Sequence, residues 1–297
     1  MPILHGNGET DARCGRQYST AAVPAEIITV EGRTSRRGSD EVACEEPVEI
    51  RVVEPAKQPP ARHSIAVTMR TPGNDFELAA GFLFSEGVLK SRESIQKIEY
   101  CGESSGAAQF NVVNVVLAPG TPFDPRKFTR NVYTSSSCGI CGKTSLEMVR
   151  SVCPAPPTGT LRLNRDLLRS LPGKLSSAQA IFSRTGGLHA SAQFDGTGKL
   201  LLMREDVGRH NAMDKVIGRL FLEGRLPASG TAILVSGRAS FELIQKTLMA
   251  GIPILAAVGA PSSLAIDMAR EFGMTLIGFL RDGRFNIYAG EDRIDID

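Results

Sequence analysis

The sequence predicts an α/β protein with two lobes, a small mixed α+β N-terminal lobe ahead of a larger, layered α/β C-terminal lobe. Three observations lead there. In the last third, short apolar strands alternate with capped helices: Ala232 to Val235, Ile252 to Val258 and Thr275 to Phe279 read as strands, with helices from Phe241 to Ala250 and from Ser262 or Ser263 to Phe272. Between Glu45 and Leu117 several strand-like runs surround one helix instead. The length of 297 residues is enough for both bodies. Alternation of this kind implies a largely parallel sheet, whose ligands collect beyond the carboxyl ends of the strands.

Residues 1–44 are polar, glycine-rich and without periodicity, and are expected to form a flexible, dispensable extension. Residues 45–128 make the small lobe. Val48 to Val52 and Ile65 to Met69, separated by the Pro59-Pro60 turn, are expected to pair as a hairpin. Thr71 to Asp75 then caps a helix from Phe76 to Ser85, on which Leu78, Phe82 and Leu83 share a face. Strands from Ile95 to Tyr100 and from Phe110 to Leu117 complete this lobe, and residues 129–157 hold a cysteine loop with a helix behind it. The larger lobe, residues 158–297, opens with a helix expected from Leu175 to Phe182, strands through Phe194 and from Leu200 to Met203, and a helix ending near Leu222.

The run Arg204 to Lys215 crowds charges ahead of that last helix. As ordinary chemistry it is a solvated helix entry; as a site, Arg209, His210, Asn211 and Lys215 form an anion cradle, and both readings stand. The strand ends Ser236-Gly237-Arg238, Gly259-Ala260-Pro261-Ser262-Ser263 and Phe279-Leu280-Arg281-Asp282-Gly283-Arg284 suit a phosphate-bearing ligand, although common turns use the same residues. No Walker or dinucleotide fingerprint is present.

The most pointed chemistry is Ser135-Ser136-Ser137-Cys138-Gly139-Ile140-Cys141-Gly142. Glycine follows each thiol, and the apolar spacing of Leu146, Val149 and Val152 puts Cys141 near a helix start, where the dipole and Lys143 favour a thiolate. Four readings compete. Structural zinc needs two further ligands at short spacing, which Cys14, Cys44, Cys101, Cys153, His189 and His210 do not offer. A thioredoxin-type dithiol belongs near the start of a small domain, not mid-chain. A zinc deaminase needs His-x-Glu before its cysteine pair, whereas His189-Ala190-Ser191 lacks the glutamate and follows it. Sulfur relay through a persulfide needs an exposed, activated cysteine and no metal.

The net charge of +2 implies no nucleic-acid surface, and no apolar run is long enough to span a bilayer. Without a signal segment, and with six cysteines in no framework spacing, the chain is expected in the reducing cytoplasm.

Assembled in order, Met69-Arg70-Thr71-Pro72-Gly73, Ser136 to Gly142, Thr185-Gly186-Gly187-Leu188-His189-Ala190, Glu205 to Lys215, Ser236 to Ser240 and Gly278-Phe279-Leu280-Arg281 resemble the formate dehydrogenase accessory sulfurtransferase family, FdhD. The resemblance runs from about Glu45 to Tyr288 and leaves the N-terminal extension outside. It implies a three-layer α/β larger lobe similar to the cytidine deaminase fold, and a homodimer. It further implies that a cysteine desulfurase hands over sulfur, which the chain passes to the molybdenum (or tungsten) bis(molybdopterin guanine dinucleotide) cofactor of the formate dehydrogenase catalytic subunit. On this sequence Cys138 is then the persulfide carrier and Cys141 its assistant. Phe279, Leu280, Arg281, Asp282, Gly283 and Arg284 match the cofactor-binding stretch, and no metal of the protein's own is expected. The alternative is a cofactor-binding chaperone whose cysteines carry no sulfur.

Overall fold

The structure, a computed structural model, describes residues 20–101, 110–127 and 156–296. Cys138, Cys141 and nearly all of the cysteine segment expected at 129–157 lie outside the described residues.

The chain enters through a hairpin of ten-residue strands, β1 (Ala22–Glu31) and β2 (Thr34–Ala43). Over 22–43 the expected extension without periodicity is therefore regular β-structure. Both faces of the hairpin are largely exposed, so burial imposes no apolar alternation that a sequence reading can detect.

A four-stranded sheet follows, in the order β4-β3-β6-β5, from β3 (Glu46–Glu54), β4 (Ala61–Arg70), β5 (Ile95–Tyr100) and β6 (Val112–Leu117). The expected β3–β4 hairpin is present, and β3 also pairs with β6 in parallel. Val48, Ile50, Val113 and Val115 point from it towards α1 (Asp75–Ser85), which contributes Leu78, Ala79 and Leu83.

The second sheet has six strands: β8 (His189–Asp195), β9 (Leu200–Asp206), β10 (Thr231–Val235), β11 (Ile254–Ala257), β12 (Thr275–Arg281) and β13 (Arg284–Ala289), in the order β13-β12-β11-β10-β8-β9. Only β10–β11 and β11–β12 are parallel pairs, so the sheet is mixed and not largely parallel. The turns at Asp195-Gly196 and Asp282-Gly283 are too short for a crossover and enforce antiparallel neighbours. A short parallel pair, β7 (Leu163–Asn164) with β14 (Ile294–Asp295), lies beside it.

Helices cover both faces of this sheet. On one, α2 (Arg165–Ala178) sets Leu168, Leu171 and Leu175 against Ala192, Phe194, Ala232 and Ile254. The helix starts ten residues before the expected position, where the Asn164 side chain accepts from the Leu167 N–H at 2.8 Å, and it runs through Pro172. The buried leucine stripe outweighs the proline's cost of about 3 kcal/mol. The turn α3 (Phe182–Thr185) leads into β8. The other face carries α4 (Arg209–Leu222), α5 (Phe241–Met249) and α6 (Ser263–Glu271).

The two sheets share one continuous apolar core, because α1 packs directly on α4. A Cβ on Gly81 would lie 1.9 Å from the Asp214 carbonyl oxygen, and one on Gly218 would lie 1.8 Å from that of Glu77. Each helix thus needs glycine where its backbone meets the other's.

Candidate functional site

β9, β10, β11 and β12 run in one direction and β8 runs against them. One end of the sheet therefore gathers Asp206, Val235, Ala257 and Arg281 with His189, and α4, α5 and α6 all begin there. Helix starts present unpaired N–H groups and a positive dipole end, which favour an anion. Main-chain bonds continue past the strands and make the floor rigid: Gly259 N–H donates to Gly237 O (2.9 Å), Ala239 N–H to Ala260 O (3.1 Å) and Phe279 N–H to Gly259 O (3.0 Å).

At one side of this end, Asp282 (φ 52°) and Gly283 (φ 73°) form a two-residue hairpin turn with both residues left-handed. It puts Arg281 directly opposite Arg284, an arrangement of like charges that costs the hairpin stability unless an anion answers it. Phe279 is also left-handed, at φ 52°, and its ring lies 6.0 Å from the Arg281 guanidinium. Of the six residues expected to bind cofactor, Arg281, Asp282, Gly283 and Arg284 are exposed on the turn and Phe279 is half-buried. Leu280 is 1% exposed, with its side chain in the core beneath the sheet.

Towards the other side, Arg209, His210 and His189 gather. Arg209 Nε is buried and, among the described residues, has no hydrogen-bond partner. Gly237 lies against the His189 ring, and a Cβ there would be 3.3 Å from Nδ1. Burial, and then the charges of Arg209 and His210, push the His189 pKa below its ordinary value. His210 Nε2 is 3.1 Å from Ser240 Oγ and 2.7 Å from Glu242 Oε2. Serine and carboxylate share one ring nitrogen, so no Ser-His-acid relay exists here. The bond to His210 holds the Glu242 carboxyl below its usual range.

Lys215 does not join the cradle. Its ammonium is buried, 2.7 Å from Asp206 Oδ2 and 2.9 Å from the Thr71 carbonyl oxygen. Asp206 also accepts from the N–H groups of Thr71 and Gly208 and from Asn211 Nδ2. The charged run therefore divides: Asp206, Asn211 and Lys215 lock the β9–α4 corner onto the β4–α1 link, and Arg209 and His210 remain at the helix start. Sequence alone could not separate the two groups, because Thr71 lies more than 130 residues away. Among the described residues no three His, Cys, Asp or Glu side chains converge as a metal site, and no helix is long and apolar enough to cross a membrane.

Two described cysteines are poor nucleophiles. Burial and the Glu46 carboxylate raise the Cys44 pKa, and Cys101 is 4% exposed.

A family model described as the FdhD/NarQ family matches residues 43–295. The chain belongs to the FdhD/NarQ family. It is 53% identical over 268 residues to the sulfur carrier protein FdhD of Streptomyces avermitilis, a match covering 89% of this chain and 92% of that protein. To the sulfur carrier protein FdhD of Mycobacterium tuberculosis it is 50% identical over 259 residues, 85% of this chain and 91% of the other. The crystal structure of a formate dehydrogenase accessory protein from Desulfotalea psychrophila superposes with a TM-score of 0.70 at 24% identity, covering 93% of this chain and all of that one, which shows a shared fold. The family match begins at the end of β2, so nearly all of the N-terminal hairpin precedes it.

Proposed function

We propose that this chain is a sulfur carrier that loads a persulfide on Cys138 from a cysteine desulfurase. It then delivers the sulfur to the bis(molybdopterin guanine dinucleotide) metal cofactor of the formate dehydrogenase catalytic subunit. The observation that carries the reading is the opposed pair Arg281 and Arg284 at the sheet end where three helices begin, in a chain whose relatives are named sulfur carriers. The guanine dinucleotide ends carry several phosphate charges, and the guanidinium groups offer them charge-assisted hydrogen bonds. The cofactor is the substrate here, and its metal receives the sulfur.

Loading transfers the outer sulfur of the desulfurase persulfide to the Cys138 thiolate and returns the desulfurase thiol. In delivery, the Cys141 thiolate attacks the inner sulfur of the Cys138 persulfide. A Cys138–Cys141 disulfide forms, hydrosulfide leaves towards the metal, and the two thiols supply the two electrons. A cellular dithiol reductant then restores the pair.

The test is reconstitution of formate dehydrogenase with Cys138→Ala protein. A folded variant that still binds cofactor but yields inactive enzyme supports the relay. Activity equal to wild type with the variant would instead support a chaperone that guards the cofactor without carrying sulfur.

A further inference from the structure

β13 ends the six-stranded sheet, so one of its sides is an open edge. Its main-chain polarity is readable. Thr275 N–H donates to Pro253 O (2.9 Å) and Phe279 N–H to Gly259 O (3.0 Å), which turns the odd residues of β12 towards β11 and leaves Leu276 and Gly278 to bond β13. Their partners Ala289 and Asn286 therefore point inward, as does Arg284, which closes the turn against Arg281. Phe285 and Ile287 direct their N–H and C=O groups to the open side. Further along, the Tyr288 carbonyl oxygen already accepts from Arg270 Nε at 3.2 Å.

Hollows flank this edge on both faces of the sheet. On the α2 face, one of about 410 Å³ is lined by Arg165, Arg169 and Arg284 around Phe285, Ile287 and Ile296. All three arginines are exposed, and two of them share the Asp166 carboxylate, at 3.4 Å from Arg169 and 3.9 Å from Arg165. On the α6 side the second, of about 510 Å³, is bounded by Arg270, Tyr288, Glu291 and Asp292. One face of the edge thus carries surplus positive charge over an apolar floor, and the other sets two acids against one base.

We propose that a partner protein docks here by laying an extended segment along β13, with acidic side chains alternating with apolar ones. In an added strand, the residues opposite Phe285 and Ile287 exchange main-chain bonds with them and point their side chains to the same face. Glutamates at those places reach Arg165, Arg169 and Arg284 with their carboxylates while their methylene stems rest on the apolar floor. The alternate side chains face Tyr288, Glu291 and Asp292, where a second row of acids is repelled and an apolar row is accepted. The open ladder is what favours a peptide over a free anion, which has no use for it.

Fluorescence anisotropy of a labelled peptide of alternating glutamate and valine, titrated with the full chain, tests this. Saturable binding with a Kd below about 1 mM is expected. Arg165→Glu and Arg169→Glu should each weaken it about fivefold or more, and the double variant should prefer a peptide with lysine in place of glutamate. N-methylation of the glutamates keeps their charge but removes the N–H groups that reach Phe285 and Ile287, and should abolish binding. Circular dichroism reports that each variant is folded. Three results would overturn the proposal. One is no binding, whether the edge stays open or light scattering shows it covered by a second copy. Another is equal binding of the N-methylated peptide, the mark of charge attraction alone. The last is indifference to Arg165→Glu and Arg169→Glu, which would put the peptide on the Arg281 and Arg284 turn instead.

Discussion

Arg281 and Arg284 stand directly across a two-residue turn from one another, and the Asp282 carboxylate lies 3.9 Å from the first. Like charges so placed work against the hairpin, and a bound polyanion turns the same arrangement into a gain. Replacing either arginine with alanine should leave the unliganded protein as stable or up to roughly 1 kcal/mol more stable. Affinity for guanosine diphosphate should fall roughly tenfold to a hundredfold. Thermal unfolding and calorimetric titration of the same variants check the two halves together.

The Lys215–Asp206 pair gives the opposite signature. Both groups are buried and the ammonium is spent on structure, so Lys215→Met should cost about 3–5 kcal/mol by leaving Asp206 unanswered. Nucleotide affinity of the folded fraction should not change. Urea unfolding measures the loss, and titration below the transition measures the affinity.

The α1–α4 contact is similarly strict. Gly81→Ala and Gly218→Ala each push a methyl group into the other helix's backbone and should destabilise by upward of about 3 kcal/mol. Chemical denaturation should show one transition, shifted as a whole, because the two sheets share a core.

Much of this was legible in the sequence. Ser240 and Ser262 mark the starts of α5 and α6, and the apolar runs around Ile233, Leu255 and Ile277 are the central strands. Those signals are local and reinforced by burial. The hairpin at 22–43 was not legible, since an exposed ribbon needs no apolar face. Nor was β13, whose start is Arg284 beside an Asp-Gly turn and reads as loop. At the site, the arginines of the Phe279 to Arg284 stretch were identifiable, but that Leu280 turns into the core depends on the pleat. Lys215 looked like a ligand because its partner Asp206 is anchored by a distant segment.

His189 gives a pH signature. Its folded pKa is depressed by burial and by Arg209, so the unfolded chain binds the proton more readily. The contribution is intact above the ordinary value of 6.5 and is lost as pH falls below it. Stability measured between about pH 7.5 and 5.5 should therefore decline on the acid side, and His189→Gln should flatten the decline.

Sulfur loading at Cys138 is the step on which the proposed relay depends. The protein is incubated with a cysteine desulfurase and cysteine, and its intact mass and cysteine-bearing peptides are read by mass spectrometry without reductant. One added sulfur on the peptide holding Cys138, absent from Cys138→Ala and still formed in Cys141→Ala, is the predicted result. A protein that stays unmodified, or that carries the added sulfur equally well without Cys138, would contradict it.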